Sequence, residues 1–291
     1  MSNLKGVGVA LVTPFNEDLT VDFDALTRLV EYNIENGADF LVVLGTTGEA
    51  ATLSAAEKKL VTEHIVKINS KRLPLVLGIG GNHTMAVKKQ IEETDLCAFD
   101  AVLSVSPYYN KPNQEGIYQH YKALAETGKN IIIYNVPGRT GQNIAADTTL
   151  RLANDFPNLI IIKEAAPDIH QYFDILRKKP QHFSLLSGDD ENTVPVTLAG
   201  GDGVISVIGQ AYPKKFSAMV QFAREKNVDH AYKIHNQMVD ITRLIFAEGN
   251  PAGIKAVLSE MGIIKNYLRL PLVPVSENLM EKIRTEMQKL Q

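Results

Sequence analysis

Short, almost unbroken hydrophobic runs recur along the chain at 8–13, 40–44, 75–78, 101–105, 131–134, 159–163, 184–186 and 204–208. They are rich in Val, Ile and Leu and do not alternate with polar residues, which is the pattern of parallel strands covered on both faces. Between them lie segments with helical spacing of apolar positions, at 23–36, 54–70, 84–93, 115–127, 146–155, 168–178, 194–198 and 213–225. Asp22 stands where a helix wants its N-cap and Gly37 where the helix must stop, and Ser54 with Glu57 three residues on reads as a capping box. Strand followed by helix, eight times over, predicts an α/β fold of the (β/α)8 TIM-barrel type. The competing architecture, a doubly wound open sheet, calls for a glycine fingerprint after the first strand; this chain has Val12-Thr13-Pro14-Phe15 there. Beyond residue 225 the strand-like runs stop, and 229–247, 251–261 and 276–290 read as helices. The expected organisation is therefore a barrel over 1–225 and a C-terminal helical extension over 226–291 packed on it.

Composition narrows what such a barrel does. The chain is 45% hydrophobic and 22% charged, enough for a large core. Its 30 Lys and Arg are interspersed with 33 Asp and Glu, and a net charge of −3 speaks against a nucleic-acid surface. The cluster Arg177-Lys178-Lys179 sits at a predicted helix end, where cations complement the dipole. A lone cysteine, Cys97, excludes an internal disulfide and suits a reducing, cytoplasmic compartment. With no histidine near it in sequence, Cys97 is expected to be a small buried residue rather than a nucleophile. The N-terminal stretch Met1-Ser2-Asn3-Leu4-Lys5 has no apolar signal core, and no run is long enough to span a membrane.

Neither metal nor cofactor is expected. The histidines, at His64, His83, His120, His170, His182, His230 and His235, are scattered and give no ligand-spaced pair. Asp189 and Asp190 read as a turn and a helix N-cap. Gly200-Gly201-Asp202-Gly203 looks like a phosphate loop but precedes the eighth strand, whereas barrel phosphate sites follow strands seven and eight.

In these barrels the chemistry lies at the C-terminal ends of the strands. Strand two runs into Gly45-Thr46-Thr47-Gly48-Glu49, where backbone amides and two hydroxyls suit a carboxylate, though a plain β/α turn fits too. Strand four runs into Pro107-Tyr108-Tyr109-Asn110-Lys111-Pro112, a stiff loop that also suits a subunit contact. Strand five ends in Tyr134 and leads to Arg139, whose guanidinium can grip a carboxylate. Strand six, Leu159-Ile160-Ile161-Ile162-Lys163-Glu164, ends a strongly apolar run in a lysine. Lysine is seldom buried without cause; burial disfavours the ammonium, and a neutral amine is what attack on a ketone requires. The competing account of Lys163 is a buried ion pair. Taken together, these residues describe a pocket that holds a small 2-oxo acid by its carboxylate while Lys163 takes its ketone.

The motifs Gly45-Thr46-Thr47-Gly48-Glu49, Tyr134-Asn135-Val136-Pro137-Gly138-Arg139-Thr140-Gly141 and Ile162-Lys163-Glu164-Ala165 resemble those of the dihydrodipicolinate synthase family over essentially the whole chain. That resemblance implies a Schiff base of Lys163 with pyruvate and condensation with L-aspartate 4-semialdehyde, in lysine and diaminopimelate biosynthesis. It implies proton transfer through Tyr134, Thr46 and Tyr109, a pyruvate carboxylate on Thr47, the aldehyde's carboxylate on Arg139, and a pocket lined by the backbone at Gly188 and Ile205. Tyr109 would reach into a neighbouring subunit, implying at least a dimer and usually a tetramer. Asn82 and Tyr108 match an allosteric lysine pocket. Ala55 and Ala86 replace its histidine and glutamate, and Lys58 adds a positive charge where a second histidine is common, so weak or absent inhibition by L-lysine is expected. The nearest rivals are other pyruvate-dependent aldolases, N-acetylneuraminate lyase or a 2-keto-3-deoxy-sugar-acid aldolase, from which Arg139 distinguishes it. A non-catalytic metabolite-binding barrel would have no need of a reactive amine.

Overall fold

The computed structural model describes residues 4–290; residues 1–3 of the N-terminal stretch and residue 291 lie outside the described residues. Among the described residues eight parallel strands close into a barrel in sequence order, with β8 paired back to β1. They are β1 Gly6–Ala10, β2 Phe40–Val43, β3 Leu75–Gly78, β4 Ala101–Val105, β5 Ile131–Asn135, β6 Leu159–Glu164, β7 Ser184–Ser187 and β8 Gly203–Ser206. Helices α1 Phe23–Glu35, α2 Ala55–Asn69, α3 Thr84–Glu93, α4 Gln114–Ala125, α5 Pro137–Thr140, α6 Ala146–Asp155, α7 Ile169–Lys178, α8 Thr193–Leu198 and α9 Pro213–Arg224 follow the strands. The caps form as the sequence predicts: Asp22 accepts from the Ala25 amide, and Ser54 with Glu57 closes a complete capping box.

Two strand ends and one loop differ from expectation. The first run was expected at 8–13 but pairs only as Gly6–Ala10, because the Gln210 side chain takes over the ladder. Gln210 Nε2 donates to Ala10 O at 2.8 Å and its Oε1 accepts from Val12 N at 3.0 Å. The eighth run ends at Ser206, and Ile208–Gln210 turns into a 3-10 helix. The loop after β5 contains the short helix α5, started by Pro137, whose missing N–H costs nothing at a first helical position.

The core has two layers, as strand periodicity requires. One apolar cluster, including Phe40, Val42, Leu103, Ile132, Ile161, Leu186 and Ile205, fills the barrel interior. A larger one, including Val7, Val9, Leu41, Ile133 and Ile162, lies between barrel and helices. The inward positions of β1 are small. Gly8 pairs with Phe40, whose ring occupies the space a side chain would need: a Cβ on Gly8 would fall 2.0 Å from Phe40 Cε2. The C-terminal helices α10 Val228–Ala247, α11 Ala252–Glu260 and α12 Glu277–Lys289 pack on one another, with α10 also against α8 and α9. From α11 the chain returns over the barrel mouth, where Arg269 donates to Leu19 O and Thr52 O. No helix among the described residues is long and apolar enough to cross a membrane.

Gly8→Ala overpacks the barrel interior and is expected to lower unfolding stability by about 1–3 kcal/mol. In the Gly8→Ala/Phe40→Leu double variant the deficit should fall below the sum of the two single effects. Additive losses in matched urea titrations would disprove the proposed contact.

Candidate active site

The direction in which β6 points its lysine depends on one irregularity. Leu159 pairs with Ile131, but Ile132 pairs with Ile161, so Ile160 is an extra residue and the register slips by one. Leu159 belongs to the outer cluster and Ile161 to the inner one. Continuing from Ile161, Ile162 faces out and Lys163 faces the lumen. Lys163 is 6% exposed, pairs in register with Tyr134, and places its Nζ 4.2 Å from the centroid of the Tyr134 ring. Among the described residues it forms no salt bridge. The ion-pair account belongs instead to a lysine that sequence reasoning passed over. Lys255 on α11 is fully buried against Glu49 and also donates to Tyr267 O at 2.9 Å. Burial brings the Lys255 amine down to about 8, with the Glu49 charge opposing the shift.

The other expected residues fall around this mouth. Gly188 donates its amide to Glu164 O at 2.6 Å. A Cβ on Gly188 would lie 3.0 Å from Lys163 Cγ and 2.8 Å from Ala165 Cβ, so the backbone lies directly against the lysine stem. Ile205 is buried in the inner cluster with Tyr134 and Leu186. Thr46 and Thr47 open a 3-10 turn whose first bond is Gly48 N to Gly45 O at 3.0 Å, leaving the two threonine amides ahead of it. Thr46 is exposed; Thr47 is buried and its Oγ1 accepts from Asn250 Nδ2 at 2.9 Å. Arg139 lies exposed on α5 and donates through Nη2 to Asn250 O at 3.1 Å. Asn250, from the C-terminal extension, thus touches both residues expected to hold carboxylates, and no local motif marks it.

Tyr109 stands apart. It is 89% exposed with φ at +72°, an uncommon backbone state for a bulky side chain. Among the described residues no hydrogen bond joins it, Thr46 and Tyr134 within one chain. Asn82 and Tyr108 do meet: Asn82 Nδ2 donates to Tyr108 O at 3.0 Å. Ala86 lies in the first turn of the neighbouring α3, and Ala55 and Lys58 at the start of α2.

Behind the lumen, on the outer face of the same strand ends, sits a buried polar network. Glu164 accepts from Asn135 Nδ2, the Ala166 amide and Gln171 Nε2, each at 2.8 Å. Asn135 Nδ2 also donates to Asn143 Oδ1 at 2.7 Å, and Asn143 Nδ2 to Gln171 Oε1 at 2.8 Å. Burial pushes the Glu164 carboxyl up to about 7, against the pull of these donors. Of the two adjacent aspartates, Asp189 accepts from the Glu191 and Asn192 amides in a local turn. Asp190 does not act as the expected cap: its Oδ2 accepts from Val207 N and Ile208 N, both at 3.1 Å, and ties down the loop after β8. Burial pushes Asp190 up to about 6. Among the described residues no cluster of three or more His, Cys, Asp or Glu could hold a metal ion. Cys97 is exposed, contrary to the burial expected of it, and the adjacent Asp95 raises its thiol pKa. Its amide donates to Asp95 Oδ1 at 3.0 Å in a surface turn, which places it outside the core.

The model of the dihydrodipicolinate synthetase family matches residues 3–290. A protein of Flavobacterium psychrophilum named 4-hydroxy-tetrahydrodipicolinate synthase is 54% identical over 284 residues, which is 97% of each chain. The crystal structure of dihydrodipicolinate synthase from Thermotoga maritima superposes with a TM-score of 0.96 at 40% identity, covering 99% of both chains. The chloride-inhibited dihydrodipicolinate synthase of Acinetobacter baumannii, complexed with pyruvate, gives 0.95 at 40% identity over 98% of both.

The Glu164 carboxyl makes a pH-dependent contribution to stability. Its pKa is about 7 in the folded protein against an ordinary 4.5, so the folded state binds the proton more tightly. The group costs the folded state nothing below pH 4.5; the cost grows as pH rises and is complete above 7. At ~1.4 kcal/mol per pH unit this amounts to about 3 kcal/mol. Glu164→Gln cannot ionise, so its stability relative to the parent should rise by about that amount between acid and neutral pH. Parallel stability profiles for the two proteins would show that the carboxyl titrates normally.

Proposed function

We propose that this chain, which belongs to the dihydrodipicolinate synthetase family, condenses pyruvate with L-aspartate 4-semialdehyde through a Schiff base on Lys163. The product is 4-hydroxy-tetrahydrodipicolinate, a step of lysine and diaminopimelate biosynthesis. The observation that carries the reading is a buried lysine amine, without a carboxylate partner among the described residues, facing the barrel lumen beside a tyrosine ring. The Lys163 amine attacks C2 of pyruvate, and loss of water gives the iminium. Loss of a methyl proton gives the enamine, whose carbon attacks the aldehyde of the semialdehyde. The semialdehyde's own amine then displaces Lys163 at C2 and closes the ring, so one water leaves overall. A phenol is suited to trade protons with amine and alkoxide, and Tyr134, Thr46 and Tyr109 are the proposed relay. Thr47 would hold the pyruvate carboxylate and Arg139 that of the semialdehyde, with the Gly188 and Ile205 backbones lining the pocket.

The relay needs a second copy. On its own chain Tyr109 is 89% exposed and, among the described residues, shares no hydrogen bond with Tyr134, and its stiff loop between Pro107 and Pro112 suits insertion into a neighbouring subunit. We take the working form to be a dimer or a tetramer built from dimers, in the cytoplasm. Arg139 favours a short acidic aldehyde over the polyol chain of N-acetylneuraminate or a deoxy-sugar acid.

Borohydride added in the presence of pyruvate should fix a pyruvate-derived adduct on Lys163 by mass analysis, and Lys163→Ala should reduce turnover to background. Absence of the adduct, or turnover surviving the substitution, would overturn the reading. Arg139→Ala should keep the adduct and raise the KM for the aldehyde by about 10- to 100-fold, the worth of a lost charge-assisted contact. Higher activity on N-acetylneuraminate than on the semialdehyde would transfer the assignment to the sugar-acid lyases.

Ala55 and Ala86 stand where lysine-inhibited members of the family have a histidine and a glutamate, so the inhibitor's ammonium loses that acidic partner, and Lys58 adds a like charge. L-Lysine should inhibit weakly or not at all. Half-maximal inhibition well below millimolar lysine in a steady-state assay would refute this.

A further inference from the structure

The turn after β2 is held by the C-terminal extension rather than by the barrel alone. Two non-glycine residues in left-handed conformations bracket it, Leu44 at φ +56° and Glu49 at φ +51°. Such a backbone state is strained for a residue with a side chain and persists only where its surroundings over-determine it. The Glu49 carboxylate supplies that constraint. One oxygen accepts from Lys255 Nζ and the other from the Arg269 amide at 3.1 Å. Both side chains of the ion pair are fully buried. Lys255 is fixed in turn by Tyr267 O and lies 4.2 Å over the Phe15 ring. Arg269 clamps Glu57 and the carbonyls of Leu19 and Thr52. The turn therefore cannot shift without uncoupling a buried charge.

A fully buried pair is a poor source of net stability, because apolar residues of like volume often serve as well. Its value lies in fixing one geometry. We propose that Glu49 and Lys255 are positioning residues for pyruvate binding: through their buried ion pair the C-terminal extension sets the Thr46–Thr47 turn that receives the pyruvate carboxylate. Asn250 acts in the same direction through its hydrogen bond to the Thr47 hydroxyl. The inference rests on the reading of Thr47 as the carboxylate holder.

The test measures KM for each substrate, kcat and borohydride trapping in Glu49→Gln and in the charge-free pair Glu49→Leu/Lys255→Met. The pair leaves no lone buried charge and keeps the test open if Glu49→Gln fails to fold. Folded variants should show KM for pyruvate raised about tenfold or more, with kcat and the aldehyde KM moved less than about threefold. They should still form the Lys163 adduct at saturating pyruvate. A pyruvate KM within about twofold of the parent's, or all constants falling together as in a merely destabilised enzyme, overturns the proposal. Thr47→Val separates it from the reading beneath. If Thr47→Val raises the pyruvate KM and the Glu49/Lys255 pair does not, the positioning role alone fails. If Thr47→Val leaves that KM unchanged, the carboxylate reading fails and the positioning role with it.

Discussion

The facing of the sixth strand is the constraint on which the rest depends. Side chains on a strand alternate between two faces, and one slip exchanges the faces for every residue beyond it. Counting from the outward-facing Leu159, strict alternation would send Lys163 out against the helices and Glu164 into the lumen. The extra residue Ile160 reverses this, so that the amine enters the barrel and the carboxylate leaves it. An amine at the mouth beside its own neighbouring carboxylate would be a salt bridge. With the two on opposite faces of the sheet, the lysine keeps its amine free and the glutamate must be satisfied elsewhere, by Asn135, Gln171 and the Ala166 amide. The outer network is thus the counterpart of the inner lysine, and it joins β5, β6 and α7 where Tyr134 and Lys163 stand side by side.

Among the described residues two lysines are buried, and they are treated oppositely. Lys255 is surrounded by a carboxylate, a carbonyl and an aromatic face. Lys163 has the Tyr134 ring beside its amine and the Gly188 backbone against its stem. Burial lowers the Lys255 amine, and the Glu49 carboxylate beside it offsets the cost; among the described residues no carboxylate pairs with Lys163. A lysine dedicated to structure takes every partner available to it. A lysine dedicated to attack on a carbonyl carbon has to be left without them.

The barrel was legible because its signal is local and repeated. Each covered parallel strand is a continuous apolar run, and each helix carries its own spacing and caps. Lys163 was legible for the same reason, as a polar ending to the most apolar run. What escaped notice depends on contacts between distant positions. The first strand stops early because Gln210, about two hundred residues away in sequence, supplies both a donor and an acceptor. Asn250 reaches Thr47 across a separation of 203 residues, and Lys255 reaches Glu49 across 206. Nothing near either residue announces the meeting. Lys255 does sit in the apolar helix Ala252–Glu260, a signal of the kind that identified Lys163. Within its motif Glu49 carries no role that the sequence alone reveals. The apolar neighbours of Cys97 in sequence suggest a buried position, but the segment forms a surface turn in space.

These separations divide the labour of the proposed site. The position of the amine proposed to react is set within the sheet, by register and by the interior packing of β5 to β8. The groups proposed to grip the substrates lie on turns beyond the strands, and those turns take their shape from the extension: Thr47 through Asn250 and Glu49 through Lys255, with Arg139 bonded to the Asn250 carbonyl. A sheet is too stiff to readjust its lumen for a new aldehyde without disturbing the lysine. Turns anchored from outside can be altered one at a time while the strand register stays fixed. On the proposed reading, Schiff-base chemistry belongs to the barrel, and the choice of carboxylate-bearing partners belongs to the chain that folds back over its mouth.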